Sequence, residues 1–357
     1  MKTEPEDSRN TKGANALRTG PLFILSMWRG GSSLLYLLLN KHPQIALLYE
    51  ADLPGLQPLF LAQRGRTSWA ERWELWNQSL SRHGISAADI PPGLNDARAA
   101  TRAVYGEYAR RKGATIWGEK TPNFCDRVDL LARDFPEASF IIIWRNPIAT
   151  ARSIARAAAL DARFFQKRGM QLRAIHGYAR MKSQCDALNA VGRRVYQLNY
   201  EDLTRNTAAI LRDICSFLSI PFDSRTTSLD GADRSALFPG EHHRMLHGDS
   251  IVSGRESADL LTPDLKRKLE CYIVSWREQN GGVWPAYPKA AENGVKPVGA
   301  EERASDWLVY HAALLLHSFR RVFYSLMPLP ALKKYRTSKH AAKSTAHIQS
   351  PGRSTAD

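Results

Sequence analysis

From Pro21 onward the chain alternates short, wholly apolar runs with longer stretches whose apolar positions recur every three or four residues. PLFILSM has the length of a buried parallel strand, and the leucine-rich run from Ser32 to Asn40 continues it as a buried helix. The same order returns in TIWGEKTP, a helix around Arg127 to Asp134, the strand SFIIIW at 139–144 and the helix IATARSIARAA. Arg193 to Asn199 reads as a further strand, and Thr207 to Leu218 as an amphipathic helix that ends near Pro221. Thr262 and Pro263 supply a cap and a first-turn proline for DLKRKLECYIVSWREQNG, which Gly281 closes. Strand, helix, strand in this order predicts an α/β fold: a parallel sheet with right-handed crossovers, flanked by helices.

Where the alternation fails, the pattern divides the chain. Residues 1–20 are polar throughout and read as a flexible tail, and 21–285 as the α/β domain. Within that domain, 53–111 reads as a largely helical insertion, with Trp69, Trp73 and Trp76 on one helix face and a helix from Ala97 to Arg111. The stretch from Pro221 to Asp259 is polar and loop-like. A linker at 286–300 leads to a helical extension at 301–335 and a second flexible tail at 336–357. The long amphipathic pattern from Glu301 to Met327 can pack on the domain, form a dimer seam or rest on lipid. Packing or dimerisation is the favoured expectation, because His311, Ser318 and Arg320 interrupt a pure membrane face.

Composition narrows the partners. Apolar residues make up 43% of the 357, enough for a sizeable core. The excess of 50 Lys and Arg over 35 Asp and Glu, a formal charge of +15, favours an anionic partner. No zinc-finger spacing, RNP-like aromatic pattern or bZIP heptad accompanies it, so nucleic acid is not expected. Cys125, Cys185, Cys215 and Cys271 lack CxxC spacing and read as buried thiols, with no metal site expected. No signal-like start and no run of about 18 apolar residues is present, so the expected compartment is the cytoplasm.

Two junctions carry chemistry. In Trp28-Arg29-Gly30-Gly31-Ser32-Ser33 a strand gives way to a helix, a place where backbone N–H groups and the helix dipole converge on an anion. Gly30 and Gly31 can shape that turn, Ser32 and Ser33 can donate hydrogen bonds, and Arg29 can offset negative charge. A plain glycine turn with a serine cap is the competing reading. The segment lacks the lysine of GxxxxGK[ST] and is not GxGxxG, which argues against ATP chemistry. At the second junction, SFIIIW ends in Arg145, with Ser153 in the following helix, where open α/β sheets bind ligands.

Together these motifs make the chain resemble the sulfotransferases that use 3'-phosphoadenosine 5'-phosphosulfate, and among them the bacterial carbohydrate and tyrosylprotein branches. MWRGGSSLLYLLLNKHP is similar to the family's 5'-phosphosulfate loop and IIIWRNPIATARSI to its 3'-phosphate segment, over Leu22 to about Leu218. The resemblance implies a P-loop-related fold, this donor, and adenosine 3',5'-bisphosphate as its product. It implies that Gly30 to Ser33 hold the 5'-phosphosulfate, that Arg145 and Ser153 bind the 3'-phosphate, and that YEDL, beginning at Tyr200, is the strand-end motif beside them. Glu50 is then the expected base, with Asp52 as its competitor and His42 as a turn former. Arg29 and Lys120 are expected to stabilise charge on the departing group. Two departures stand out: the loop reads Arg-Gly-Gly-Ser-Ser rather than the commoner Arg-Ser-Gly-Thr-Thr type, and DSIVSGRES carries Ser250 and Arg255 where a bacterial branch has His and Asn. Arg255 is kept as a phosphate contact, with His247 as a local substitute. The insertion at 53–111 becomes the acceptor side. The expected acceptor is a hydroxyl on a small molecule, glycan or glycolipid, and a homodimer and peripheral membrane contact stay open. The alternatives are a non-catalytic nucleotide-binding interaction protein and an ATP-dependent phosphotransferase.

Overall fold

Along Pro21–Ser26 (β1) successive side chains enter opposite cores. Leu22 and Ile24 join one apolar cluster and Phe23 and Leu25 the other, and every residue of the strand is buried. Such a strand is stable only in the middle of a sheet covered on both faces. The computed structural model describes residues 20–54, 80–91, 94, 97–122, 124, 127–160, 170, 173–238, 246–251, 260–279, 298–328, 330, 331 and 334.

Among the described residues the sheet has five parallel strands: β1, Ile45–Tyr49 (β2), Ile116–Lys120 (β3), Ser139–Trp144 (β4) and Arg194–Asn199 (β5), in the spatial order β2-β3-β1-β4-β5. The connection leaving β1 leads towards β2, while β4 leads away to β5 on the other side. The crevice between the carboxyl ends of β1 and β4 is thus a topological switch point, where sheets of this kind bind ligands. Register fixes what gathers there: Ile24 pairs with Lys120, Tyr49 with Lys120, Ser26 with Ile143 and Trp144 with Asn199.

Helices cover both faces. Ser32–Leu39 (α1) and Thr207–Leu218 (α7) pack on the face of Leu22, Ile24, Ile141 and Ile143. Ala97–Lys112 (α2), Val128–Asp134 (α3) and Arg173–Ala190 (α5) pack on the face of Phe23, Leu25 and Ile142. Ala100, Val104, Tyr105, Tyr108 and Ala109 of α2 recur at helical spacing and are all buried in that cluster. Each such fully buried large side chain contributes about 1.5–3 kcal/mol of transfer free energy. Pro147–Leu160 (α4) packs Ile148, Ala151 and Ala155 on Leu269 and Ile273 of Pro263–Gln279 (α8). Tyr200–Arg205 (α6) follows β5 directly, and Ala300–Leu326 (α9) ends the described helices. Among the described residues no helix is long and apolar enough to cross a membrane.

Candidate active site

Gly30 N–H donates to the Met27 carbonyl at 2.9 Å, closing a tight turn directly after β1. A Cβ on Gly30 would overlap Ser26 Oγ and lie 2.8 Å from the Met27 carbonyl oxygen; on Gly31, where φ is 101°, it would overlap the Tyr200 ring. Both positions therefore require glycine, the second also for its backbone. Helix α1 starts at Ser32, with Leu34 N–H donating to the Gly31 carbonyl at 3.1 Å. The amides of Ser32 and Ser33 belong to its first turn, whose N–H groups have no partner within a helix.

The second junction meets this loop. Asn146 Oδ1 accepts from Ile148 N–H at 2.9 Å and Ala149 N–H at 3.2 Å, and Pro147 takes the first helical position, so α4 begins sharply beyond β4. Arg145 Nη1 donates to the Arg29 carbonyl at 2.7 Å, and its guanidinium lies 4.3 Å from the centre of the Tyr200 ring. Arg29 Nε donates to Ser153 Oγ at 3.1 Å. Arg29, Gly31, Arg145, Ser153 and Tyr200 thus form one cluster although more than a hundred residues separate the two segments. Burial, together with the nearby Arg145 charge, pulls the Arg29 guanidinium down to about 10. Arg145 Nε is buried without a hydrogen-bond partner.

On the other side of α1 stands the carboxylate group. Glu50, immediately after β2, has φ of 49°, and its N–H donates to the Lys120 carbonyl at 2.8 Å. Lys120 Nζ reaches Glu50 Oε1 at 2.5 Å and Ser33 Oγ at 3.1 Å, and lies 4.4 Å from the centre of the Tyr49 ring. Tyr49 OH and Ser33 Oγ are 2.9 Å apart. The Lys120 side chain is only 1% exposed and that of Glu50 15%, so the carboxylate is the member of the pair that solvent reaches. Burial pushes the Lys120 ammonium down, and Glu50 opposes that shift.

Behind this pair lies a group that sequence reading missed. Glu119 is fully buried and its carboxylate accepts from the amides of Asp52 and Leu53, from Thr121 Oγ1, and from Tyr105 OH at 2.7 Å. It ties the residues after Glu50 to β3. Burial lifts its pKa to about 7, against the lowering from the donors. Arg82 Nη2 donates to the Glu50 carbonyl at 3.3 Å and its Nη1 to the Ala236 carbonyl at 2.8 Å. The missed signal was the run Glu119-Lys120-Thr121, three polar side chains at the end of a strand that is otherwise buried.

The remaining expectations fall elsewhere. Asp52 pairs with Arg127 Nη1 at 2.5 Å rather than joining Lys120. His42 is buried in the turn before β2: one ring nitrogen accepts from Gln44 N–H at 3.1 Å and the other contacts the Pro221 carbonyl at 2.8 Å. His247 is exposed, while Arg255, Trp69, Trp73 and Trp76 lie outside the described residues.

A model of the sulfotransferase family matches residues 21–224, which contain all five strands and both junctions. Protein-tyrosine sulfotransferase A of Caenorhabditis elegans is 25% identical over 247 residues, 68% of this chain; the match spans 57% of that relative's length. Among solved structures, the sulfotransferase domain from the Synechococcus PCC 7002 olefin synthase is 19% identical with a TM-score of 0.47, over 74% of this chain and 96% of that one. Mouse sulfotransferase SULT7A1 complexed with PAP is 13% identical with a TM-score of 0.41, over 74% of this chain and 87% of that one. With more than half of its length matched, the chain belongs to the sulfotransferase family.

Proposed function

We propose that this protein transfers a sulfuryl group from 3'-phosphoadenosine 5'-phosphosulfate to an acceptor hydroxyl, with Glu50 as general base. The observation that carries the reading is the meeting of Arg29 and Arg145, two guanidiniums drawn from separate strand ends to one glycine turn. Holding like charges together costs free energy, and a polyanion between them would offset that cost. The glycine turn, the first-turn amides of α1 and the buried Arg145 Nε fit such an anion.

When bound, the donor supplies an activated sulfuryl group and departs as adenosine 3',5'-bisphosphate. The turn at Gly30 and the amides of Gly31 to Ser33 hold the 5' side; Arg145 and Ser153 hold the 3'-phosphate, with Tyr200 packed beside them, and Arg255 is a further phosphate contact. Glu50, the more exposed member of its ion pair, takes the proton of the attacking hydroxyl. Lys120 and Arg29 place positive charge where the departing oxygen gains electrons. Held by Ser33 and Glu50 together, Lys120 links the anion turn to the base.

For the acceptor, a carbohydrate or glycolipid hydroxyl is our reading. The similarity to a protein-tyrosine sulfotransferase favours a tyrosyl peptide as the second. Incubating the purified protein with radiolabelled donor and a panel of glycans, glycolipids, small alcohols and tyrosyl peptides tests both. Labelled acceptor is expected, with an equal amount of adenosine 3',5'-bisphosphate. Binding of the bisphosphate with no product across the panel would favour a nucleotide-binding protein without transfer.

A further inference from the structure

Helix α9 has two sides of opposite character. On one, Asp306 and Tyr310 are buried: Tyr272 OH of α8 donates to Asp306 Oδ2 at 3.1 Å, Lys268 Nζ lies 3.5 Å from Asp306 Oδ1, and the His176 ring of α5 is 5.0 Å from that of Tyr310. This contact fixes the helix on the domain. On the other side Leu308, Leu315, Leu316 and Phe319 are each at least 59% exposed, with Trp307 at their edge 52% exposed. At 3.6 residues per turn, Leu308, Leu315 and Phe319 fall within an arc of about 40°, with Leu316 about 60° beyond it. Few proteins leave so continuous an apolar stripe open to water without a use for it.

The sequence around the stripe selects its partner. From Trp307 to Ala356 the chain contains Arg320, Arg321, Lys333, Lys334, Arg336, Lys339, Lys343 and Arg353, and no Asp or Glu. A second copy seated in parallel on the stripe would bring two such cationic segments together, and their repulsion would oppose that seam. A surface that is apolar within and anionic at its boundary satisfies both features. We propose that α9 and the basic segment after it dock on an anionic lipid bilayer, with the leucine and phenylalanine stripe at the acyl boundary and the lysines and arginines among the headgroups. Sequence reading favoured packing or dimerisation for this helix. The structure assigns packing to the side of Asp306 and Tyr310 and leaves the opposite stripe to another surface.

Sedimentation of the full chain with vesicles tests this. Vesicles containing about one quarter phosphatidylglycerol should bind at least about tenfold more tightly than pure phosphatidylcholine, and raising the salt should release the protein. The double substitution Leu315→Glu, Phe319→Glu should reduce binding by at least about tenfold while the circular dichroism melting curve stays unchanged. If that variant misfolds, Lys333→Glu with Lys334→Glu provides the second test and should weaken binding by about tenfold. The proposal fails if phosphatidylglycerol vesicles do not bind, or if a folded variant binds as the parent does. It also fails if sedimentation equilibrium without lipid shows a dimer that the apolar substitutions dissolve while vesicle binding is absent.

Discussion

Both edges of the sheet carry a pair of arginines, Arg29 with Arg145 at the carboxyl ends of the strands and Arg193 with Arg194 at the amino ends. At the amino edge Arg193 donates to the carbonyls of Pro136 at 2.8 Å and Ala132 at 3.3 Å, while Arg194 donates to Ser139 Oγ at 3.3 Å and to the Phe217 carbonyl. These guanidiniums fasten turns and helix ends together around a cavity of about 310 Å³. At the carboxyl edge the arginines meet each other beside a glycine turn, on backbone of an uncommon kind. Four described non-glycine residues have positive φ, and three of them, Arg29, Glu50 and Asp52, stand here; the other, Ser219, caps α7. Such conformations persist where the surroundings over-determine them, and they cluster at functional sites. The same residue type thus serves architecture at one edge and, in the function proposed above, ligand chemistry at the other.

Substitutions can break or sharpen this contrast. The largest effect is expected from Glu50→Gln, which keeps the shape and removes the proposed proton acceptor. Turnover should fall by about 10²–10⁴-fold, while calorimetric affinity for adenosine 3',5'-bisphosphate stays within about threefold. Undiminished turnover would remove Glu50 from the chemistry.

Next is the pH response of Glu119. Its carboxyl is raised from an ordinary value near 4.5 to about 7, so between these values the folded protein binds more protons than the unfolded chain. This group's contribution to stability is therefore fully present below pH 4.5 and lost as pH rises through 7, by about 3 kcal/mol. In thermal melts from pH 5 to 8, Glu119→Gln should remove that slope; parallel profiles for variant and parent would contradict it.

Arg145→Ala should weaken adenosine 3',5'-bisphosphate binding by about ten- to a hundredfold, the worth of a charge-assisted hydrogen bond. The smallest effect belongs to the other edge. Arg193→Ala should cost about 1 kcal/mol of stability and lower Tm by about 2 °C, with bisphosphate affinity changed less than about twofold. Equal losses of affinity from the two arginine substitutions would erase the distinction between the edges.

The central strands and several helices were legible because each has a one-dimensional signature. SFIIIW is a continuous apolar run, and Thr207–Leu218 has helical periodicity with a clear stop. Strand β2 was not assigned, because only five residues separate IALLY from an equally apolar helix and it lacks a period of its own. Helix α5 was missed because its buried Tyr178, Met181, Cys185 and Leu188 are diluted by polar neighbours. At the site, Arg29, Arg145 and Glu50 could be singled out as candidates from motif and resemblance, whereas the Lys120–Ser33–Tyr49 contacts and the anchoring by Glu119 depend on strand order. A chain read in one dimension does not show that β3 lies between β1 and β2.

Because, among the described residues, β2 pairs with β3 alone, Glu50 follows a border strand whose alignment rests on a single ladder. A slip of one position along that ladder would turn every side chain of the strand to the opposite face and carry the carboxylate about 3.3 Å away from Lys120. Loosening of the β2–β3 ladder should accordingly silence the protein before it unfolds it.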